Sequence, residues 1–309
     1  MLPACQQVQE KLGTTFIKYA RDSAIYRGQG LIEGLYNHFD SDREIFEAIV
    51  SAFSVSEFID LHQLIVRVVD RALFNCFHLF QSTDEIHFLI SLEGADEPVN
   101  IKRCFPDMPQ CVFGTNNPGW IAQYSSYVYP YARAEDAMSL LDYRKAPVAP
   151  LQMPSLPAFP DPSVEWHGRT AQQQEALDKF GFWLMRVVRD KTIDEWLSVM
   201  AGYEPPDVWL AMQARSLLEG WAERLQRVQR LEEDVMITVL LEAIDTMLHD
   251  ALYDIDAREE YRIAVKTSRG WVADLTRVPM LVNLAAELFG EDGWIARFSR
   301  YPRAWADRE

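Results

Sequence analysis

The chain has 309 residues, 49% apolar and 25% charged, enough for one large domain or two ordinary ones around a sizeable core. Its net charge of −16 sets it against a phosphate backbone, which excludes direct nucleic-acid binding as a first reading and favours a basic protein partner. No apolar run reaches the length of a membrane span, and the opening MLPACQQVQEKLG lacks a basic stretch followed by an apolar one, so no membrane association and a cytoplasmic address are expected.

The acidic excess is spread along the chain: residues 1–150 carry 19 acids and 12 bases, the remainder 27 and 18. Cys5, Cys76, Cys104 and Cys111 show no CxxC spacing, so four free thiols are expected, with Cys76 a small core residue.

In chain order, SDREIFEAIVSAF opens with Ser41 and Glu44, a capping-box pair that predicts a helix. A long apolar helical pattern follows over 58–80, then Asp84-Glu85 and an alternating run, IHFLISL (86–92), that reads as a strand. VNIKRCF is expected as a second strand. Phe113-Gly114 then precedes GWIAQYSSY (119–127), read as a turn entering an extended segment. Tyr127, Tyr129 and Tyr131 continue its aromatic run, and Pro130 argues against a central strand.

Residues 145–163 hold six prolines and divide the chain near its midpoint. Neither helix nor central strand runs through such a stretch, so it is expected as an extended connector. An amphipathic helix is predicted from Thr170, and TIDEWLSVMAGY is read as a helix opened by a Thr192/Glu195 capping box. A further amphipathic stretch near 205–230 would pack internally or make a homodimer contact.

The remainder repeats the earlier order: a long apolar helix over 235–255, Glu259-Glu260, a strand YRIAVKT (261–267), a second strand WVADLTRV, Phe289-Gly290, and GWIARFSRY (293–301). Setting Asp70 on Asp245 places Leu73 on Leu248. The predicted fold is therefore α+β and helix-rich, a tandem duplication of a helix-helix-strand-strand unit. Its boundaries are 1–143 for the first unit, 144–166 for the linker and 167–309 for the second.

Three constellations suggest function. Trp120, Tyr124, Tyr127, Tyr129, Tyr131, Trp294, Phe298 and Tyr301 are candidate protein-contact residues, since Trp and Tyr most often carry interface energy, although Trp120 and Trp294 also fit a packing motif. Glu242, Asp245 and His249 share a helix face and could ligate a divalent metal for hydrolysis. The pair His249-Asp250 resembles HD-type metal phosphohydrolases over those two residues, with no upstream His partner. The matching first-half positions, Arg67, Asp70 and Phe74, cannot bind a metal, so Asp70 and Asp245 are read as bridging groups. Four arginines after residue 296 are expected to pair with the protein's own carboxylates.

With no GxSxG, P-loop or dinucleotide fingerprint, the chain reads as a non-enzymatic binding protein without a cofactor. The most concrete version is an immunity or antitoxin-like protein that neutralises a basic toxin. The alternatives are the metal-dependent hydrolase and a scaffold or adaptor.

Overall fold

A computed structural model describes residues 3–33, 40–114, 119–127, 169–201, 203, 233–272, 275–276 and 284–301, without the side chains of 40–42, 55–56 and 233–234. The proline-rich stretch, the 205–230 segment, Tyr129 and Tyr131 lie outside the described residues.

The first half opens with α1 (Pro3–Leu12), a π-helical segment (Gly13–Arg21) and α2 (Asp22–Ile32), which form one continuous rod. Then come α3 (Asp40–Ala52) and α4 (Val55–Ser82). Ser54 stands in extended conformation before α4 and makes a reciprocal capping box with Glu57, which fixes where the helix starts. Phe58, Leu61, Ile65, Val69, Leu73, Phe77 and Phe80 recur at helical spacing and are buried along one face.

The second half repeats the rod as α8 (Ala171–Trp183), a second π-helical segment (Leu184–Asp190) and α9 (Lys191–Met200). Its capping box is Thr170/Gln173. The predicted box at Thr192 is overturned: Thr192 sits inside the rod and donates its hydroxyl back to the Val188 carbonyl at 2.6 Å. Helix α10 (Glu233–Asp256) is buried on nearly all sides, every residue from Leu241 to Leu248 included, as befits a central helix.

Strands β1 (Ile86–Ile90), β2 (Val99–Asn100), β3 (Tyr261–Thr267) and β4 (Gly270–Val272) form one antiparallel sheet in the order β2-β1-β3-β4. The two halves thus meet at the β1–β3 seam. Ile86 pairs with Val265, Phe88 with Ile263 and Ile90 with Tyr261. Exchanging β1 with the first five residues of β3 leaves every one of these pairs in place, the register of a local twofold axis. Ile86, Phe88, Ile90, Tyr261, Ile263 and Val265 point into the core, while His87, Lys266 and Trp271 lie on the outer face.

The helices interlock across the same axis. α10 packs on α2 and the first π segment, and α4 packs on α9 and the second π segment. Gly28 allows this closeness, because a Cβ there would lie 3.0 Å from Ile65 and 3.3 Å from Ala243. A single hydrophobic core runs from Val8 to Ile295. No helix among the described residues is long and apolar enough to cross a membrane.

Three local expectations are corrected. VNIKRCF is a strand for two residues only. Asn100 then accepts a hydrogen bond from the Lys102 amide at 3.0 Å and opens α5 (Ile101–Cys104), followed by α6 (Met108–Phe113). Both GWIA stretches are short helices, α7 (Trp120–Tyr124) and α11 (Trp294–Phe298), each preceded by an extended glycine. Glycine is required by contact: a Cβ on Gly119 would overlap the Val112 carbonyl oxygen, and one on Gly293 the Phe289 carbonyl oxygen. Finally, Cys5 and Cys104 form a disulfide that ties α1 to α5, leaving Cys76 and Cys111 free. The partners lie 99 residues apart, so no local spacing announced the bond.

Candidate functional site

The chemistry-bearing residues gather in two buried clusters, one in each half. Arg21 and Asp22 stand at the end of the π-helical segment, within a run of the rod, 20–26, that is buried throughout. Arg21 Nε donates to Asp70 on α4 at 2.5 Å, and its Nη1 donates to Asp22 at 3.0 Å. Asp22 accepts from the Ser125 hydroxyl at 2.8 Å and from the Ser126 and Tyr127 amides at 2.6 and 3.2 Å. The segment after α7 is thereby fastened to the rod. Gln29 also donates to the Tyr127 hydroxyl. Burial works against the Arg21 charge, but Asp70 and then Asp22 outweigh it, so the guanidinium pKa rises above its usual value.

The second cluster has the same plan. Arg189 donates to both oxygens of Asp245, at 2.6 and 3.0 Å, and through Nη1 to the Ser299 hydroxyl and the Tyr301 carbonyl, at 2.7 and 2.9 Å. Asp190 accepts from Ser299 at 2.5 Å and from the Arg300 amide at 2.8 Å. The Tyr301 hydroxyl donates to Asp194 at 2.7 Å; burial and that carboxylate push it up to about 12. The bridging role expected of Asp70 and Asp245 is the one they have. Their arginine partners were missed, although Lys11-x-Gly13 with Arg21-Asp22 and Lys179-x-Gly181 with Arg189-Asp190 recur at identical spacing.

This geometry commits the metal candidates elsewhere. Asp245 is bound to Arg189, the buried Glu242 lies 4.0 Å from Arg27 Nε, and His249 Nδ1 is 2.9 Å from its neighbour Asp250. No group of three His, Cys, Asp or Glu among the described residues could hold a metal ion.

The aromatic candidates divide. Trp120 is 2% exposed and Trp294 0%, packed edge-on against Phe77 and Phe105 and against Phe180 respectively, which removes both from any contact surface. Tyr124 is half-buried against Gly13, where a Cβ would collide with its ring. Tyr127 and Tyr301 are half-buried by the clusters just described. Phe298, also half-buried, has Arg297 stacked 4.6 Å above it, and that arginine also grips Asp178 through two hydrogen bonds. The exposed large apolar side chains among the described residues are instead Phe182 at 43%, Trp271 at 47% and Tyr203 at 70%, none of which was singled out from sequence.

Charge is also distributed otherwise than the net value suggests. Eleven carboxylates but only three arginines are buried among the described residues, so much of the acidic surplus is internal. Half-buried or exposed arginines such as Arg258 and Arg300 reach inward to meet it, at 2.9 Å from Asp254 and 3.6 Å from Asp190. The exposed carboxylates, Glu44, Glu291 and Asp292 among them, are scattered, with one run close in sequence. Glu93, Asp96 and Glu97 are all exposed on the turn between β1 and β2, where Gly94 takes φ 77°, and no ion pair among the described residues holds them. No protein-family model, curated protein or solved structure matches the chain.

Proposed function

We propose that the chain is a tandem duplication of an α+β unit, split by the proline-rich segment, that acts without catalysis as a protein-binding protein in the cytoplasm. The most concrete form is an acidic immunity or antitoxin-like protein that neutralises a basic protein toxin. Three features support the duplication: the twofold β1–β3 register, the matching Arg-Asp-Asp-Ser clusters, and the reciprocal ion pairs Lys11–Glu260 and Lys179–Glu85 at 2.7 and 2.9 Å.

The binding reading rests on one observation above all, the unpaired acidic turn Glu93, Asp96, Glu97. Many other carboxylates among the described residues are held in internal pairs, whereas these three stand close together on one exposed turn and keep their field for a partner. The experiment is a pull-down from native lysate with the tagged full-length protein, at low and high salt, beside Glu93→Lys/Asp96→Lys/Glu97→Lys. One basic protein recovered in stoichiometric amount, weakened by salt and lost on charge reversal, is the expected result. No partner at either salt, or one indifferent to the reversal, overturns the proposal.

A further inference from the structure

We infer that the interface between the two halves is built to reject self-pairing, so that each half accepts the other half and not a second copy of itself. The inference rests on the duplication reading and concerns its seam. Arg71 on α4 lies fully buried against Glu195 on α9, with Nε–Oε2 and Nη2–Oε1 both 2.7 Å, and Asn75 adds a bond to the same carboxylate at 3.2 Å. Across the axis the position equivalent to Arg71 is Thr246, and Arg27 on α2, its side chain 44% exposed, lies instead 4.0 Å from Glu242 on α10, one turn earlier.

The correspondence gives the charges their meaning. Arg27 follows Asp22 by the same interval as Glu195 follows Asp190, and Arg67 and Arg71 flank Asp70 as Glu242 and Thr246 flank Asp245. The first half therefore offers arginines at every one of these seam positions, and the second offers glutamates or threonine. Two first halves related by the same axis would set Arg27 against Arg67 and Arg71. Two second halves would set Glu195 against Glu242. Both wrong pairings set like charges face to face, around the buried Arg71 in one case and the buried Glu195 and Glu242 in the other, while the native pairing sets opposite charges together. The reciprocal pairs Lys11–Glu260 and Lys179–Glu85 recur in every combination and cannot discriminate. A contact that opposes the wrong partner as well as favouring the right one is how specificity arises between similar surfaces.

Such discrimination matters to a duplicated chain, because a half that pairs with the same half of a neighbouring molecule joins separate molecules into oligomers. The test places a protease site within residues 145–163 of the full chain, cleaves the folded protein, and unfolds and refolds it with both halves present before native mass spectrometry. The 1:1 pair should exceed either homodimer by at least about a hundredfold, since like-charge juxtaposition costs several kcal/mol and each tenfold needs only 1.4. Replacing the four charges together (Arg27→Gln, Arg71→Met, Glu195→Met, Glu242→Gln) should bring the mixture towards the statistical ratio. A statistical mixture from the unmodified seam overturns the specificity and leaves the duplication standing. Halves that part as folded monomers overturn the shared twofold interface itself. A measurement without refolding uses the intact chain: Arg71→Glu and Glu195→Arg should each lower the unfolding midpoint, and the two together should restore most of the loss. A double variant no better than the sum of the singles overturns the inference.

Discussion

Substituting Arg189→Met tests whether the paired clusters hold the fold together. Arg189 is fully buried and makes four hydrogen bonds, two to Asp245 and one each to Ser299 and the Tyr301 carbonyl. Methionine fills similar volume but leaves Asp245, itself 1% exposed, as a buried carboxylate without its counter-charge. Breaking one side of such a pair typically costs about 3–5 kcal/mol. Asp190 is better provided, because Arg186 lies 3.2 Å away, Arg300 3.6 Å, and Ser299 still donates to it. Removing Asp245 as well, in Arg189→Met/Asp245→Leu, should therefore recover about 1–3 kcal/mol as coupling between the two sites. Urea unfolding followed by tryptophan fluorescence reads both quantities from the shift in midpoint at constant slope. A single-variant loss below about 1 kcal/mol, or a double variant no more stable than the single, would refute the reasoning. Arg21→Met should behave alike, since Arg21 holds Asp70 and Asp22 in the same way.

Denatured but unreduced protein should titrate two thiols with a chromogenic disulfide, rising to four after reduction, and Cys5→Ser should lose about 2–5 kcal/mol of stability; four thiols before reduction would exclude the Cys5–Cys104 bond. Burial raises the Asp256 carboxyl to about 8 despite the Leu284 and Ala285 amides that donate to it. Its folded pKa therefore lies above its unfolded one, and its contribution to stability is present at low pH and lost as pH rises through about 8. Wild type should lose stability on this account as pH rises from about 4 to about 8 and level off above that, a trend that Asp256→Asn should flatten; an unchanged profile in the variant contradicts the assignment. Gly119→Ala and Gly293→Ala should each lower the thermal midpoint, because the added Cβ meets a carbonyl oxygen that cannot yield without moving the preceding turn. Retention of the wild-type midpoint in both would show that the close approach is not a constraint.

Much of the frame was legible because its signals are local. The apolar periods read over 58–80 and 235–255 became helices Val55–Ser82 and Glu233–Asp256, and the alternation of YRIAVKT became a strand with the same ends. The GWIA stretches misled for a physical reason. A five-residue helix spans little more than one turn, too short to display a helical period, and the glycine before it is itself extended. Thr192 and Glu195 satisfy the capping-box spacing, yet the rod had already started at Thr170, and Glu195 is engaged by Arg71 instead. The disulfide and the Arg21–Asp70 and Arg189–Asp245 pairs are tertiary and have no short-range signature. The recurrence of Gly13 with Arg21-Asp22 and Gly181 with Arg189-Asp190 was in the sequence all along, just ahead of the segments that first suggested a repeat.

The function proposed here depends on charge at one turn, and association kinetics test that most directly. With the captured basic partner, the bimolecular rate constant would be measured by stopped flow across a range of ionic strength, for wild type and for Glu93→Lys/Asp96→Lys/Glu97→Lys. Electrostatic steering predicts a rate that falls steeply with salt in wild type, and a variant that associates more slowly with a flatter salt dependence. Equal rates and equal slopes for the two proteins would contradict a binding role for the acidic turn.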